Sequence, residues 1–263
     1  GNAEGGFFLF LFHPPLTLYI MDIILFDVDG TLTPSRGEMD PEFKQYFLKF
    51  QKKYKVCFVT GSDSAKTIEQ VGSDVFAAAQ YSFNCSGNEI FKNGQLKSTT
   101  GWTASDALIN FLEICLEHTH YTEKCDNHIE RRPGMVNFSV VGRDANQKQR
   151  DAYYEWDKIH NERSQIATAI NWRWADEVQA DIGGEISIDI FPKGKDKAQV
   201  LDHFKYGDHI FFFGDKTEKG GNDYTLAQRI INERKGEVIQ VKNWKETRKK
   251  LKKMFLGDQY SEI

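Results

Sequence analysis

The stretch Ile24-Leu25-Phe26-Asp27-Val28-Asp29-Gly30-Thr31-Leu32-Thr33 (ILFDVDGTLT, 24–33) decides how this chain is read. Its opening apolar run, IILF at 23–26, is continuous rather than alternating, the pattern of a strand covered on both faces. The run ends in two aspartates two residues apart, so Asp27 and Asp29 can leave the strand end in the same general direction. Paired carboxylates at such a place repel, and burying them is costly unless a cation or hydrogen bonds offset the charge. A hard divalent ion with a preference for oxygen ligands, such as Mg²⁺, is the natural third party. An ordinary Asp-Gly surface turn would explain neither the apolar run before the pair nor Thr31 and Thr33 after it.

Working outward, VCFV at 56–59 and IFFF at 210–213 repeat the pattern of a short apolar run that ends in polar or Gly residues. Helical spacings lie between such runs. Asp40-Pro41 reads as an N-cap followed by Pro in the first turn, with Phe43, Tyr46, Phe47 and Phe50 on one face. Strands alternating with crossover helices predict a doubly wound α/β core, with ligands at the carboxyl ends of the strands. The pattern changes near Cys85. EIFKNGQLKS carries Asn93-Gly94, a pair suited to a type I′ hairpin turn. A helix through Ala107, Leu108, Phe111, Leu112 and Cys115, a strand at 136–142, a second long helix to about 170 and a strand at 185–191 follow. Crossover logic then resumes with a helix near 196–204, the strand ending at Phe213, a further helix, EVIQV at 237–241 and a last helix. The chain is therefore expected to have a core of residues 21–85 and 189–263 and an inserted α+β cap of residues 86–188.

Composition fits this organisation. The 263 residues are 40% hydrophobic and 13% aromatic, enough for one large or two small packed domains and too apolar for a disordered chain. A net charge of -4 disfavours a general nucleic-acid binder. Four cysteines without a CxxC pair read as ordinary cytosolic thiols, and so as a cytoplasmic location, rather than as a disulfide framework. Seven histidines show no metal spacing. The FFLFLF run at 7–12 is cut off by His13-Pro14-Pro15 and has no basic residue before it, so it reads neither as a secretory signal nor as a membrane span. Residues 1–20 read as an extension, disordered or non-native, with Met21 as a candidate start. Trp172 and Trp174 are expected to pack against a sheet, and RKKLKKMF at 248–255 to form an amphipathic helix with a solvated basic face.

A second acidic group stands downstream, where IFFFGDKTEKGGND places Asp215 just after a strand and Asp223 after a Gly pair. Lys197, near the start of the preceding helix, offers a compact charge for a carboxylate or a phosphoryl oxygen. VTGSD at 59–63 supplies hydroxyls and backbone N–H groups at a strand-to-helix turn, which suits an anion or, equally, an N-cap at Ser62 or Asp63.

With these residues in place the chain resembles the haloacid dehalogenase (HAD) superfamily. DVDGT at 27–31, the TGSD turn, Lys197, and Gly214-Asp215 with Asn222-Asp223 occur in the order of its four motifs. ERRPGMVNFSVVGR at 130–143 and GGEISIDIFPKGKDK at 183–197 narrow the resemblance to the eukaryotic-type phosphomannomutases, which have a type IIB cap, over residues 22–257. The resemblance implies interconversion of mannose 6-phosphate and mannose 1-phosphate, in mannose metabolism ahead of GDP-mannose. It implies Asp27 as the nucleophile that becomes an aspartyl phosphate, Asp29 as acid and base, and Lys197 with Ser62 or Thr60 steadying the phosphoryl group. Mg²⁺ would be held by Asp27, the Asp29 carbonyl and Asp215, and a hexose 1,6-bisphosphate would prime the enzyme. Arg36, Arg132, Arg143 and Arg150 match family arginines suited to bidentate phosphate binding, and Ser187 and Asp189 match a sugar-contacting pair. A homodimer through the caps is implied, with no nucleic-acid or membrane partner.

Three positions depart from the family pattern. Thr60 stands where Gly is common, Lys195 where Trp is usual, and Pro133 where Asn is usual. Thr60 and Lys195 favour the rival reading, a Mg²⁺-dependent sugar-phosphate phosphatase in which water takes the phosphoryl group. A noncatalytic binding module on the same fold is a further rival, disfavoured by intact Asp27, Asp29, Lys197 and Asp215.

Overall fold

Alternation along β1 (Asp22–Phe26) sets the architecture. Ile24 and Phe26 point into one buried cluster with Phe43, Phe47, Phe50, Phe58 and Phe213, while Ile23 and Leu25 point into another with Val59, Val200, Phe212, Leu226 and Ile230. A strand buried on both sides needs helices on both sides, and the computed structural model, which describes residues 21–256, supplies them. The expected extension at 1–20 lies outside the described residues.

The larger sheet begins with β1 and continues through α1 (Pro41–Gln51), β2 (Lys55–Val59), α2 (Ser64–Val71), α3 (Ser73–Ala78), β3 (Tyr81–Asn84), β4 (Glu89–Lys92) and β5 (Gln95–Thr99). After an insertion it resumes at β10 (His209–Gly214), α7 (Tyr224–Asn232), β11 (Gly236–Gln240) and α8 (Trp244–Leu251). Its order is β11-β10-β1-β2-β3-β4-β5, parallel from β11 to β3 and antiparallel beyond. This is the expected doubly wound Rossmann-like core. Asp40 caps α1, accepting from the Glu42 and Phe43 amides, with Pro41 in the first turn. The Asn93-Gly94 turn joins β4 to β5 with both residues at positive φ, as a type I′ turn requires.

The insertion holds α4 (Asp106–His118), β6 (Ile129–Arg132), β7 (Met135–Ser139), α5 (Gln147–His160), α6 (Glu162–Arg173), β8 (Val178–Gly183) and β9 (Ser187–Pro192). Its four strands form a separate antiparallel sheet, β6-β7-β9-β8. One face of that sheet (Val136, Phe138, Val178, Ile188, Ile190) packs on Leu108, Leu112, Tyr153 and Ile170 of the helices. Strand periodicity therefore turns Asn137, Ser187 and Asp189 to the opposite face.

Several details differ from the expectation. The β4–β5 hairpin pairs with β3 in the larger sheet and β9 lies wholly in the smaller one, so strand pairing divides the chain near 100 and 193 rather than at 86 and 188. Hairpin chemistry marks a turn, not the sheet to which it belongs. The second long helix is two, broken at Asn161, which adopts the left-handed conformation that Asn tolerates. The helix near 196–204 is a 3₁₀ segment at 197–203. Trp174 packs edge-on against Phe111, but Trp172 is 83% exposed.

Both crossings between the sheets pass Asn88, which is buried. Its carbonyl accepts from the Thr100 amide at 2.8 Å, its Oδ1 from the Thr100 hydroxyl at 3.2 Å, and its Nδ2 donates to the Lys195 carbonyl at 3.2 Å. Gly134, in the β6–β7 turn, has φ +64°, and a Cβ there would lie 2.6 Å from the Cβ of Asn88. Glycine at that turn lets the cap sheet approach the core.

Candidate active site

The carboxyl ends of β1 and β10, adjacent in the sheet, bring Asp27 and Asp215 together from positions far apart in sequence. Asp223 joins them. One oxygen from each of the three lies within 4.8 Å of the others, and they form the only group of three or more potential metal-ligating acids, histidines or cysteines among the described residues. Two glycines permit this approach. Gly30, at φ +76°, faces the Asp215 carboxylate where a Cβ would collide, and a Cβ on Gly214 would lie 2.8 Å from Asp223 Oδ2.

Lys197 is buried behind the acids and donates to Asp27 Oδ1 at 2.8 Å and Asp223 Oδ1 at 2.7 Å. Burial opposes its charge, but Asp223 and Asp27 outweigh that and hold its pKa above the usual lysine value. One ammonium does not balance three carboxylates. Burial, then Asp223, pushes the Asp27 carboxyl well above its usual range, and the same two causes raise Asp215 to about 6. An all-oxygen, acid-rich cluster short of positive charge fits a hard divalent cation. The residues present therefore suit Mg²⁺, with Asp223 added to the set expected from sequence.

Asp29 lines the same cleft but its carboxylate is not part of the acidic trio. Its Oδ1 accepts from the Arg36 amide at 2.7 Å and from Gln70 Nε2 at 2.8 Å. The TGSD turn follows β2, with Asp63 rather than Ser62 as N-cap of α2, accepting from the Lys66 amide at 2.9 Å. Ser62 faces the cleft. Thr60 Oγ1 accepts from the Ser62 amide at 3.1 Å, so that hydroxyl shapes the turn.

The cap sheet's polar face closes a cleft of ≈ 280 Å³ over these groups. Asp27, Asp29, Ser62, Asp215, Arg36, Arg132, Arg143, Arg150, Ser187 and Asp189 all line it, while Lys197 stands behind Asp27. Arg132 Nη1 donates to the Gly61 carbonyl at 2.9 Å, tying β6 to the core turn. Arg150 is buried and donates to the carbonyls of Ala145 at 2.8 Å and Arg143 at 2.7 Å. Burial, then Arg36 and Arg143, lowers its pKa to about 10. Burial, then Arg132, also lowers that of Arg143. Clustered guanidiniums under such strain favour an anion between them.

Among the cleft residues that escaped the sequence reading, Asn137 and Glu130 bond directly to residues it had singled out. Asn137 is buried and donates to Asp189 Oδ1 at 2.6 Å, while its Oδ1 has no partner. Its position two residues before Ser139 on an otherwise apolar strand was the available signal. Glu130, two residues before Arg132, bonds two of the arginines. Of the departures from the family pattern, Lys195 is exposed and lies outside the cleft lining.

Residues 43–257 match the family model described as eukaryotic phosphomannomutase, a span that opens downstream of the Asp27 loop. A phosphomannomutase of Encephalitozoon cuniculi is 38% identical over 248 residues, covering 89% of this chain and 95% of its own. That of Dendrobium officinale is 38% identical over 213 residues, covering 78% and 84%. Among solved structures, a truncated Plasmodium falciparum IMP-nucleotidase aligns with TM-score 0.60 at 18% identity over 91% of this chain and 71% of its own. A trehalose-6-phosphate phosphatase related protein aligns with TM-score 0.55 at 17% identity, covering 88% and 96%. At these identities the solved structures speak for the fold.

Proposed function

This chain belongs to the eukaryotic phosphomannomutase family, and from that premise we propose that its cleft interconverts mannose 6-phosphate and mannose 1-phosphate with Asp27 as the phosphoryl carrier. The observation that supports the carrier role most directly is the buried Lys197 bridge between Asp27 and Asp223 beneath an arginine-lined cap. Lys197 takes Oδ1 of Asp27 and the Thr31 hydroxyl lies 3.4 Å from Oδ2, so the carboxylate is held from both sides.

In the proposed cycle an Asp27 oxygen attacks the phosphorus of a hexose 1,6-bisphosphate. The P–O bond to Asp27 forms, the P–O bond to the sugar breaks, and the leaving sugar oxygen takes a proton from Asp29. The hexose monophosphate left behind, or a fresh one, then presents its free hydroxyl to the aspartyl phosphate. Asp29 removes that proton as the sugar oxygen bonds to phosphorus and Asp27 is released. Both hydrogen bonds to the Asp29 carboxylate fall on Oδ1, which leaves Oδ2 for the proton. Asp27, Asp215 and Asp223, with the Asp29 carbonyl, would hold Mg²⁺, which supplies positive charge against the developing charge on the transferred oxygens.

The cap must hold the phosphate that is not reacting in each of two sugar orientations. Arg132, Arg143 and Arg150 of the cap, with Arg36 from the core loop after β1, suit that task, and Ser187 with Asp189, both on β9, would bind sugar hydroxyls. A cap pressed against the core also keeps water from the aspartyl phosphate. A homodimer through the caps, a cytoplasmic location and a place ahead of GDP-mannose complete the proposal. Of the two positions that favoured the phosphatase alternative, Lys195 stands outside the cleft, while Thr60 lines it with its Oγ1 accepting from the Ser62 amide. The carrier role is tested by acid-quenching the protein with glucose 1,6-bisphosphate and mapping the phosphoryl group by mass spectrometry. It should sit on the peptide that contains Asp27; a phosphoryl group elsewhere would remove Asp27 from the mechanism.

A further inference from the structure

We propose that Glu130 is a positioning residue: its carboxylate holds Arg132 and Arg143 at the separation in which their guanidiniums receive the phosphate of the substrate. The inference rests on the phosphate-binding role given to those arginines above. Glu130 lies two residues before Arg132 on β6, so the strand period puts both on the cap face that covers the cleft. A single oxygen does the holding. Oε2 accepts from Arg132 Nη2 at 2.6 Å and from Arg143 Nε at 3.1 Å.

The remaining bonds show why this matters. Arg132 uses Nη1 on the Gly61 carbonyl at 2.9 Å, and Arg143 Nη1 lies 3.5 Å from Ser187 Oγ. Each arginine is thus held at one end by its surroundings and at the other by the same carboxylate. Glu130 takes the Nε edge of Arg143, which leaves Nη2 without a hydrogen-bond partner among the described residues and available to an anion. Without the carboxylate, Arg132 and Arg143 would repel directly, with Arg36 adding to the field. Burial raises the Glu130 pKa, but the two arginines outweigh it and bring it below the usual value, so the group stays ionised in the working range. Charge-assisted bonds of this kind are stronger than neutral ones and fix planar groups in angle as well as distance.

A role confined to stability predicts different behaviour from a positioning role. Calorimetric titration of mannose 1-phosphate into the full chain would compare wild type with Glu130→Ala and Glu130→Gln, with melting curves on the same samples. Glu130→Ala should weaken binding about tenfold or more, the loss expected when two charge-assisted bonds stop fixing the guanidiniums. Glu130→Gln keeps an acceptor oxygen without the charge and should fall between. In turnover, KM should rise while kcat changes little. Unchanged or tighter binding by folded Glu130→Ala would overturn the proposal, as would weakened binding that only tracks lost folded protein in both variants. A wild type that binds mannose 1-phosphate but does not isomerise it would overturn the functional reading, yet the affinity comparison would still decide this one. A wild type that binds none would overturn both.

Discussion

The core half of the cleft and the cap half are electrostatic opposites built on different scaffolds. The core brings carboxylates to the ends of parallel strands, where Asp27, Asp215 and Asp223 cluster and one buried cation, Lys197, bridges Asp27 and Asp223. The cap brings guanidiniums to the polar face of an antiparallel sheet and its margin, where Arg132 and Arg143 share one anion, Glu130. The two counter-charges differ in burial. Lys197 is 3% exposed, whereas the Glu130 side chain is 31% exposed. A buried counter-charge binds the fold together as well as the site, while a half-buried one governs mainly where its partners point. The core half is accordingly suited to chemistry that needs one fixed geometry, and the cap half to a phosphate that must be accepted in two orientations.

The comparison breaks first at Asp27. Asp27→Asn should lower phosphoryl transfer by at least about 10³-fold. Because it removes one of three repelling carboxylates, its melting temperature without divalent cation should equal or exceed that of wild type. Removing the buried cation should do the reverse to the fold. Lys197→Met leaves Asp27 and Asp223 without a partner and should cost about 3–5 kcal/mol in urea unfolding. On the cap side, Arg143→Ala should raise KM for the sugar phosphate about tenfold or more. Its melting temperature should stay near that of wild type; a collapse in stability with normal kinetics in the surviving enzyme would make Arg143 structural.

The smallest effect concerns Asp181, on β8 of the cap sheet. Burial raises its carboxyl to about 6, with Asp196 and Asp189 adding to the shift and Gln179 opposing it. The folded state thus holds this proton more tightly than the unfolded chain does. Its contribution to stability is fully present below about pH 4 and is lost as pH rises through about 6. Relative to Asp181→Asn, wild type should lose ~1–2 kcal/mol of stability between pH 4 and 7, read from urea midpoints. A difference that stays flat across that range would show that the Asp181 carboxyl is not raised.

The sequence spoke most clearly where one residue type has one physical use. The apolar run ending in Asp27, the Asp40-Pro41 helix start and the Asn93-Gly94 turn each have a local cause, and each is found in the structure. The cleft residues taken from motif spacing also come together, including four arginines spread from 36 to 150. What was illegible depends on pairing across distance. Nothing in EIFKNGQLKS says that its hairpin extends the larger sheet, because a hairpin satisfies its inner edge and leaves its outer edge open to either sheet. Asn161 breaks a continuous helical pattern through backbone conformation alone. Glu130 carries no signal of its own in the sequence, because its partner Arg143 is brought beside it only by folding. Asp223 was legible as part of the second acidic group, but its place beside Asp27 and Asp215 as a third metal-ligating carboxylate shows only in the folded loop.

The central claim, that the acidic half transfers a phosphoryl group which the arginine half re-presents to the same sugar, is tested most directly by phosphorus NMR. The full chain would be incubated with mannose 1-phosphate, Mg²⁺ and a trace of glucose 1,6-bisphosphate, with Asp27→Asn as control. Mannose 6-phosphate should appear only with the bisphosphate and only with Asp27 intact. Inorganic phosphate as the sole product would contradict the claim and make the protein a phosphatase.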